Sequence, residues 1–466
     1  MTNKRRPISR RDFLKLACAA GGSLAGRRVL RPASRTVRVK RLPVLAEAGR
    51  SLRPWWVRRV EQPTIEIAWD RVRRFDSRDT VRGSGLMKYF GEDEVERLAR
   101  VAADNEHQRL LDAVPGYSLK ELALNAAQNP GHLIGVSFLG RQLASTPEQR
   151  GVSRWTGTPD EAARIVRAAM RHFGAALVGF VELDERTRKL IYSHDPDGKR
   201  LEFEEVDQAH ETDEARVIPN RAQWVIVYAV QMSGVTLKRA PTVIAEQTTS
   251  LAYVRGALIQ NQTQEFLRGL GYQCLGEAVV NGLGIAPGFA VMAGLGEMSR
   301  LNRVITPEYG PMVRLFLLIT DLPLAADGPI DAGIMEFCRT CKKCAETCPA
   351  SALSFDDGPA WEARGGWNNP GHKAYFEDSV KCYTYWREKA GTNCGICFAV
   401  CPFSKEDKAW IHRWVKAGIS EMPVLDGFLR SMDDAFSYGA QKDPEAWWSL
   451  DLPEYGIDTE RTVQDE

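Results

Sequence analysis

An α/β layered core followed by a small cysteine-rich domain is the architecture this sequence predicts, and three observations carry it. Helical and strand-like patterns alternate from about residue 158 to 325. Eight of the ten cysteines fall between Cys338 and Cys401. Ahead of both, residues 1–60 hold 17 Lys/Arg against only Asp12 and Glu47, so the start of the chain is set apart by charge.

Taken in order, "ISRRDFLKLACAAGGSLAG" joins Arg10 and Arg11 to "DFLK" and a short Gly/Ala-rich segment. That is the form of a twin-arginine (Tat) export signal, placed at residues 1–30. A basic amphipathic helix is the plainer alternative, and Cys18 within it receives no role. Residues 31–90, rich in Arg, Pro and Trp with little period, read as an extended wrapping segment. "EDEVERLARVAADNEHQRLLDAV" has helical spacing. "TPDEAARIVRAAMRHFG" is a second helix, with Thr158, Pro159 and acids at its start and Gly174 at its stop. "AALVGFVEL" and "QWVIVYAVQM" read as strands, and "TTSLAYVRGALIQNQTQEFLRGLG" as a helix ending at Gly269–Gly271. "YQCLGEAVV" follows as strand or loop, with Cys274 as a small buried hydrophobe. "GPMVRLFLLITDLPL" is a buried strand closed by Pro323. The core therefore runs over 31–330, the cysteine-rich domain over 331–405, and a Trp-rich packing tail over 406–466.

Composition narrows the function. The formal net charge is +2. The leader carries eight basic residues and one acid, which leaves the remainder near −5, so the basic face of a nucleic-acid binder is missing. No apolar run approaches a membrane span; the longest, such as "WVIVYAV", are strand-length. No G-x-G-x-x-G follows a strand, which argues against a nucleotide cofactor.

The cysteines are more specific. Cys338, Cys341, Cys344 and Cys348 form C-x2-C-x2-C-x3-C followed by Pro349, the run of bacterial two-cluster ferredoxins. Cys382, Cys394, Cys397 and Cys401 form C-x11-C-x2-C-x3-C followed by Pro402, with the first ligand displaced. In such runs three thiolates wrap one cube while the fourth faces another. One [4Fe–4S] cluster is thus expected on Cys338, Cys341, Cys344 and Cys401, the other on Cys382, Cys394, Cys397 and Cys348, in a ferredoxin-like domain. Zinc seldom needs C-x2-C-x2-C, and thiols this close on a tight loop are poorly placed for disulfides. Two cubes make a wire for single electrons, and the long α/β segment before them is where its terminus should lie.

At this point the chain resembles the respiratory reductive dehalogenases. The likeness lies in "EFLRGLGYQC", "MAGLGEMSRLNRVITPEYGPMVRLFLLITDLPL" and "EFCRTCKKCAETCPASAL", and runs from Ala240 to Phe403. The resemblance implies a nitroreductase-like α/β core that binds a base-off, cobalamin-type corrinoid fed by the two clusters. It implies replacement of carbon–halogen by carbon–hydrogen in a small organohalide, in anaerobic respiration. It also implies a small integral-membrane anchor protein, holding the exported subunit at the outer face of the cytoplasmic membrane. No histidine lies in D-x-H-x-x-G, which fits a corrinoid without a lower histidine.

Residue by residue, the resemblance carries the proton donor to Tyr253, the assisting arginine to Arg314 and a polar residue between them to Asn281. It carries the corrinoid contacts to Gly294, Gly296 and Glu297. A guanidinium that stays charged favours a tyrosinate. The plainer alternatives are a packed tyrosine, an arginine paired with Glu297 or Asp321, and an Asn-Gly turn. Two other functions are consistent with much of the chain: an epoxyqueuosine reductase-like corrinoid enzyme, which the leader and the charge oppose, and a two-cluster electron-transfer subunit without corrinoid.

Overall fold

A computed structural model describes residues 53–128, 135–405 and 410–452. The twin-arginine segment and Cys18 lie outside the described residues. Among these, no helix is long and apolar enough to cross a membrane.

The centre is a four-stranded sheet of β1 (Leu177–Glu182), β2 (Trp224–Gln231), β3 (Cys274–Leu275) and β4 (Val313–Thr320), in the spatial order β1-β2-β4-β3. Every ladder is antiparallel, and β2 pairs with β4 from Gln231↔Val313 to Trp224↔Thr320. Helices α1 (Glu92–Leu111) and α2 (Leu119–Ala127) precede the sheet. Next come α3 (Pro159–His172) and α4 (Val243–Leu270), with α5 (Ala286–Met292) between β3 and β4. The Thr158–Glu161 capping box and Pro159 start α3 as its sequence implies. Helix α4 begins five residues earlier than "TTSLAYV", because Thr242 caps it by accepting the Ala245 amide.

The period of two along the strands sorts side chains into two cores. Val225, Val227, Leu317 and Ile319 face α5, with Phe289 and Ala290. Ile226, Tyr228, Phe316 and Leu318 face α3 and α4, with Val166, Met170, Ala252 and Ile259. Helix and sheet approach closely at Gly256, where a Cβ would stand 2.2 Å from the Phe316 ring. Tyr228 donates there to the Gly256 carbonyl at 2.9 Å.

A small sheet of Arg200–Glu204, His210–Glu211 and Ala215–Pro219 was not foreseen. Its strands are too short to show a period. The N-terminal stretch from residue 53 runs over the core, pairing Arg58–Arg59 with Ile330–Asp331. The tail folds back as two helices, Trp410–Glu421 and Asp426–Ala435. Beyond them the Trp447 indole donates to Thr236 at 3.1 Å and the Trp448 indole to Glu121 at 2.7 Å.

Candidate active site

Helix α6 (Ile334–Cys341) delivers Cys338 and Cys341 and is stopped by Lys342 in the left-handed region, φ +49°. The short helix α7 (Lys343–Glu346) then brings Cys344 back toward them. Helix α8 (Ser379–Tyr385) carries Cys382, and α9 (Ile396–Ala399), opened by Gly395 at φ +69°, carries Cys397. Cys338, Cys341, Cys344 and Cys401 line one void. Cys348, Cys382, Cys394 and Cys397 line a larger cavity. Each void thus draws one cysteine from the other run.

None of the nine described cysteines is in a disulfide. Burial, above all, pushes the Cys338, Cys394 and Cys397 thiols up to about 12. A bound cationic centre would displace those protons to solvent and take the thiolates as ligands. Four thiols around a void, twice over, is a donor set that fits two iron–sulfur cubes.

The second void opens toward α4. Glu246, in the first turn of that helix, accepts from Asn393 at 2.8 Å and from Thr392, tying the helix to the loop before Cys394. One turn on, Thr249 lines the cavity with Arg314, Arg303 and Arg82. Arg303 and Arg82 share Glu377, with Arg303 at 2.7 Å. Arg314 lies on the α4 face of β4, in step with Phe316 and Leu318. Its Nη2 donates to Thr249 Oγ1 at 3.1 Å, and its guanidinium stands 5.6 Å from the Tyr253 ring centre. Its buried Nε has no partner among the described residues.

Tyr253 packs edge-on against Phe316 at 5.9 Å and receives a hydrogen bond at 3.4 Å from Asn281 Nδ2. Asn281 sits at φ +59°, a left-handed position that asparagine tolerates. Its main-chain amide donates to Glu277 at 3.0 Å. Glu277 is fully buried, and that burial raises its carboxyl to about 8. Gln260, two turns beyond Tyr253 on α4, accepts the Glu277 amide at 3.1 Å and donates to its carbonyl at 2.8 Å.

The structure therefore brings Tyr253, Asn281 and Arg314 together. The ion pair weighed for Arg314 is not formed. Glu297 accepts instead from Ala332 (2.6 Å), Ile334 (3.2 Å) and Thr64 (2.7 Å), while Asp321 accepts from Gln273 (2.8 Å).

Gly294, Gly296 and Glu297, expected as corrinoid contacts, each have a packing role in this fold. A Cβ on Gly294 would lie 2.2 Å from the Gly328 carbonyl oxygen, and one on Gly296 would lie 2.3 Å from that of Ile305. These glycines admit neighbouring backbone, and Glu297 anchors the start of α6; none of the three lines the cavity. Sequence reasoning missed Thr249, Arg303, Arg82, Glu277 and Gln260. Thr249 and Gln260 share a helical face with Tyr253 and could have been found; the others carry no local signal.

A cavity that runs from a four-cysteine void to Arg314, with Tyr253 and Asn281 beside that arginine, is the layout of a redox protein. Comparison with known proteins narrows the class. The family model for the reductive dehalogenase subunit matches residues 52–324, and that for a 4Fe-4S double cluster binding domain matches 337–404. Tetrachloroethene reductive dehalogenase of Sulfurospirillum multivorans is 38% identical over 321 residues, covering 66% of this chain and 62% of that protein. Trichloroethene reductive dehalogenase of Dehalococcoides mccartyi is 28% identical over 553 residues, covering 96% and 97%. A solved reductive dehalogenase structure, bearing on B12-dependent dehalogenation, shares the fold with TM-score 0.61 at 24% identity, over 85% of this chain and 50% of that one. The chain thus spans 62% of the Sulfurospirillum relative and half of the solved structure. It belongs to the reductive dehalogenase family.

Proposed function

We propose that this protein reductively dehalogenates a small, apolar organohalide, taking up two electrons and one proton and releasing halide. The observation that carries the reading is the convergence of Tyr253, Asn281 and Arg314 beside the cavity of the second four-cysteine void. The cavity wall suits a corrinoid, with apolar Met232, Leu301 and Phe398 for its body and Thr249, Asn393 and Arg303 for its polar fringe. The unpartnered Arg314 Nε is a donor awaiting a ligand there. When bound, the corrinoid supplies the electrons at the carbon–halogen bond.

The chain supplies the rest. Tyr253 gives its phenolic proton to the carbon that loses halogen. The Arg314 guanidinium, 5.6 Å from the ring centre, offsets the tyrosinate left behind. Asn281 donates to the phenol oxygen and fixes its direction. The buried clamp of Glu277 and Gln260 keeps Asn281 in reach.

Export by the Tat route to the outer face of the cytoplasmic membrane is part of the same proposal, supported by Arg10 and Arg11 and the segment after them. So is a small integral-membrane anchor protein as partner.

The test is metal content after anaerobic reconstitution with iron, sulfide and a corrinoid, followed by halide release with a low-potential donor. About eight irons and one cobalt per chain, with halide release, support the reading. Eight irons without cobalt in folded protein would leave an electron-transfer subunit instead.

A further inference from the structure

Arg300 ranks first among the largest fully buried side chains. It lines the first void together with Cys338, Cys341, Cys344 and Cys401. Its guanidinium is held wholly by main-chain carbonyls: Nε donates to Cys338 at 2.8 Å, Nη1 to Ser354 and Asp356 at 2.8 Å each, and Nη2 to Arg339 at 3.3 Å. The Tyr375 ring caps it, 4.1 Å from guanidinium carbon to ring centre.

These partners solvate the charge but do not neutralise it. The other cations around this void have carboxylates of their own. Lys342 pairs with Asp357 at 2.5 Å, and Lys343 with Asp433 and Asp434. Lys405 pairs with Asp433, and Arg430 with Glu346 and Asp434. Asp357, next to one of the carbonyls that hold Arg300, is itself almost fully exposed and paired with Lys342.

A buried guanidinium with only neutral partners is costly unless an anion lies close by. A four-iron cube on four thiolates is such an anion, and reduction adds one more negative charge to it. Within the interior their attraction escapes screening by salt.

We propose that Arg300 is the buried counter-charge of the cluster held by Cys338, Cys341, Cys344 and Cys401, and that it raises that cluster's reduction potential. Arg300 acts through the cluster and touches no substrate. The inference rests on the double-cluster domain alone and stands or falls apart from the dehalogenation chemistry.

The experiment is a redox titration of the reconstituted holoprotein, followed by electron paramagnetic resonance with a viologen donor, for wild type, Arg300→Gln and Arg300→Lys. In Arg300→Gln, one of the two one-electron waves falls by at least tenfold in its equilibrium, 59 mV for one electron, and the other stays. Arg300→Lys, which keeps the charge, recovers most of that loss. Arg300→Gln with full iron content and both waves in place would reduce Arg300 to a packing role and overturn the proposal, as would an equal shift of both waves. If Arg300→Gln retains no iron, wild type decides alone. A field from a buried cation leaves the lower-salt and higher-salt potentials of that cluster no further apart than those of its neighbour. A larger salt shift would assign the field to the exposed partners of Lys342 and Arg430 and overturn the proposal.

Discussion

The carboxyl of buried Glu277 accepts the main-chain amide of exposed Asn281 at 3.0 Å, while the Asn281 side chain donates to the Tyr253 hydroxyl. One buried acid thereby fixes the loop that aims an amide at the proposed proton donor, and Gln260 holds that acid's own backbone from the helix bearing Tyr253.

Glu277 makes stability depend on pH. Its carboxyl is raised from 4.5 to about 8 by burial. Its contribution is fully present below the unfolded value and drains away as pH rises to the folded one, because only the unfolded chain releases the proton in between. The slope approaches ~1.4 kcal/mol per pH unit between about pH 5 and 8. Denaturant midpoints measured across that range fall in wild type; in Glu277→Gln the part owed to this group is gone and the curve is flatter.

Tyr253→Phe removes the phenolic proton and leaves the Phe316 contact in place. Halide release falls on the order of 10²–10⁴-fold, the usual weight of a general acid, with iron and cobalt content unchanged. Asn281→Ala loses only the 3.4 Å hydrogen bond and costs about tenfold or less. Steady-state rates on loaded enzyme check both, and equal losses in the two variants would count against these roles.

Arg314→Met lowers turnover further than Arg314→Lys, since the lysine keeps the charge that favours a tyrosinate while losing the planar reach to Thr249. Rates of the two variants at matched cobalt content separate charge from geometry.

The crossed arrangement of cysteines is tested by iron counting. Cys401→Ser lies in the second run but borders the void of the first, with Cys338, Cys341 and Cys344. Iron falls from about eight to about four per chain, and the signal lost is the one that Cys338→Ser also removes. Cys348→Ser instead shares its loss with Cys397→Ser.

Gly256→Ala forces a methyl to within 2.2 Å of the Phe316 ring. Overpacking of this kind costs about 1–3 kcal/mol. The helix must lift by the turn that bears Tyr253, so thermal melts and turnover fall together.

Much of this arrangement could be read in the chain because it is repetitive or local. The strands around Val227 and Leu317 announce themselves by unbroken apolar runs, the Thr158 cap by its capping box, and the cysteines by spacing alone. Position 314 was reachable too: counting by twos from Phe316 puts it on the helix side of β4. Other features depend on contacts across long stretches of sequence. Arg303 owes its place to Glu377, and Arg300 to carbonyls as far off as Asp356. No local pattern records such partners. The turn at Gly294 and Gly296 likewise packs against Gly328 and Ile305, neighbours that its likeness to a family's turn does not reveal.

The pairing of Arg58–Arg59 with Ile330–Asp331 also has a bearing on timing. Arg58 and Asp331, joined at 2.9 Å, are 273 residues apart, so the ribosome releases one long before it makes the other. This two-stranded clasp cannot close until the sheet, α4 and the start of the cysteine domain have all been synthesised. Its closure marks a finished core, and it does so on the segment that directly follows the arginine-rich beginning of the chain.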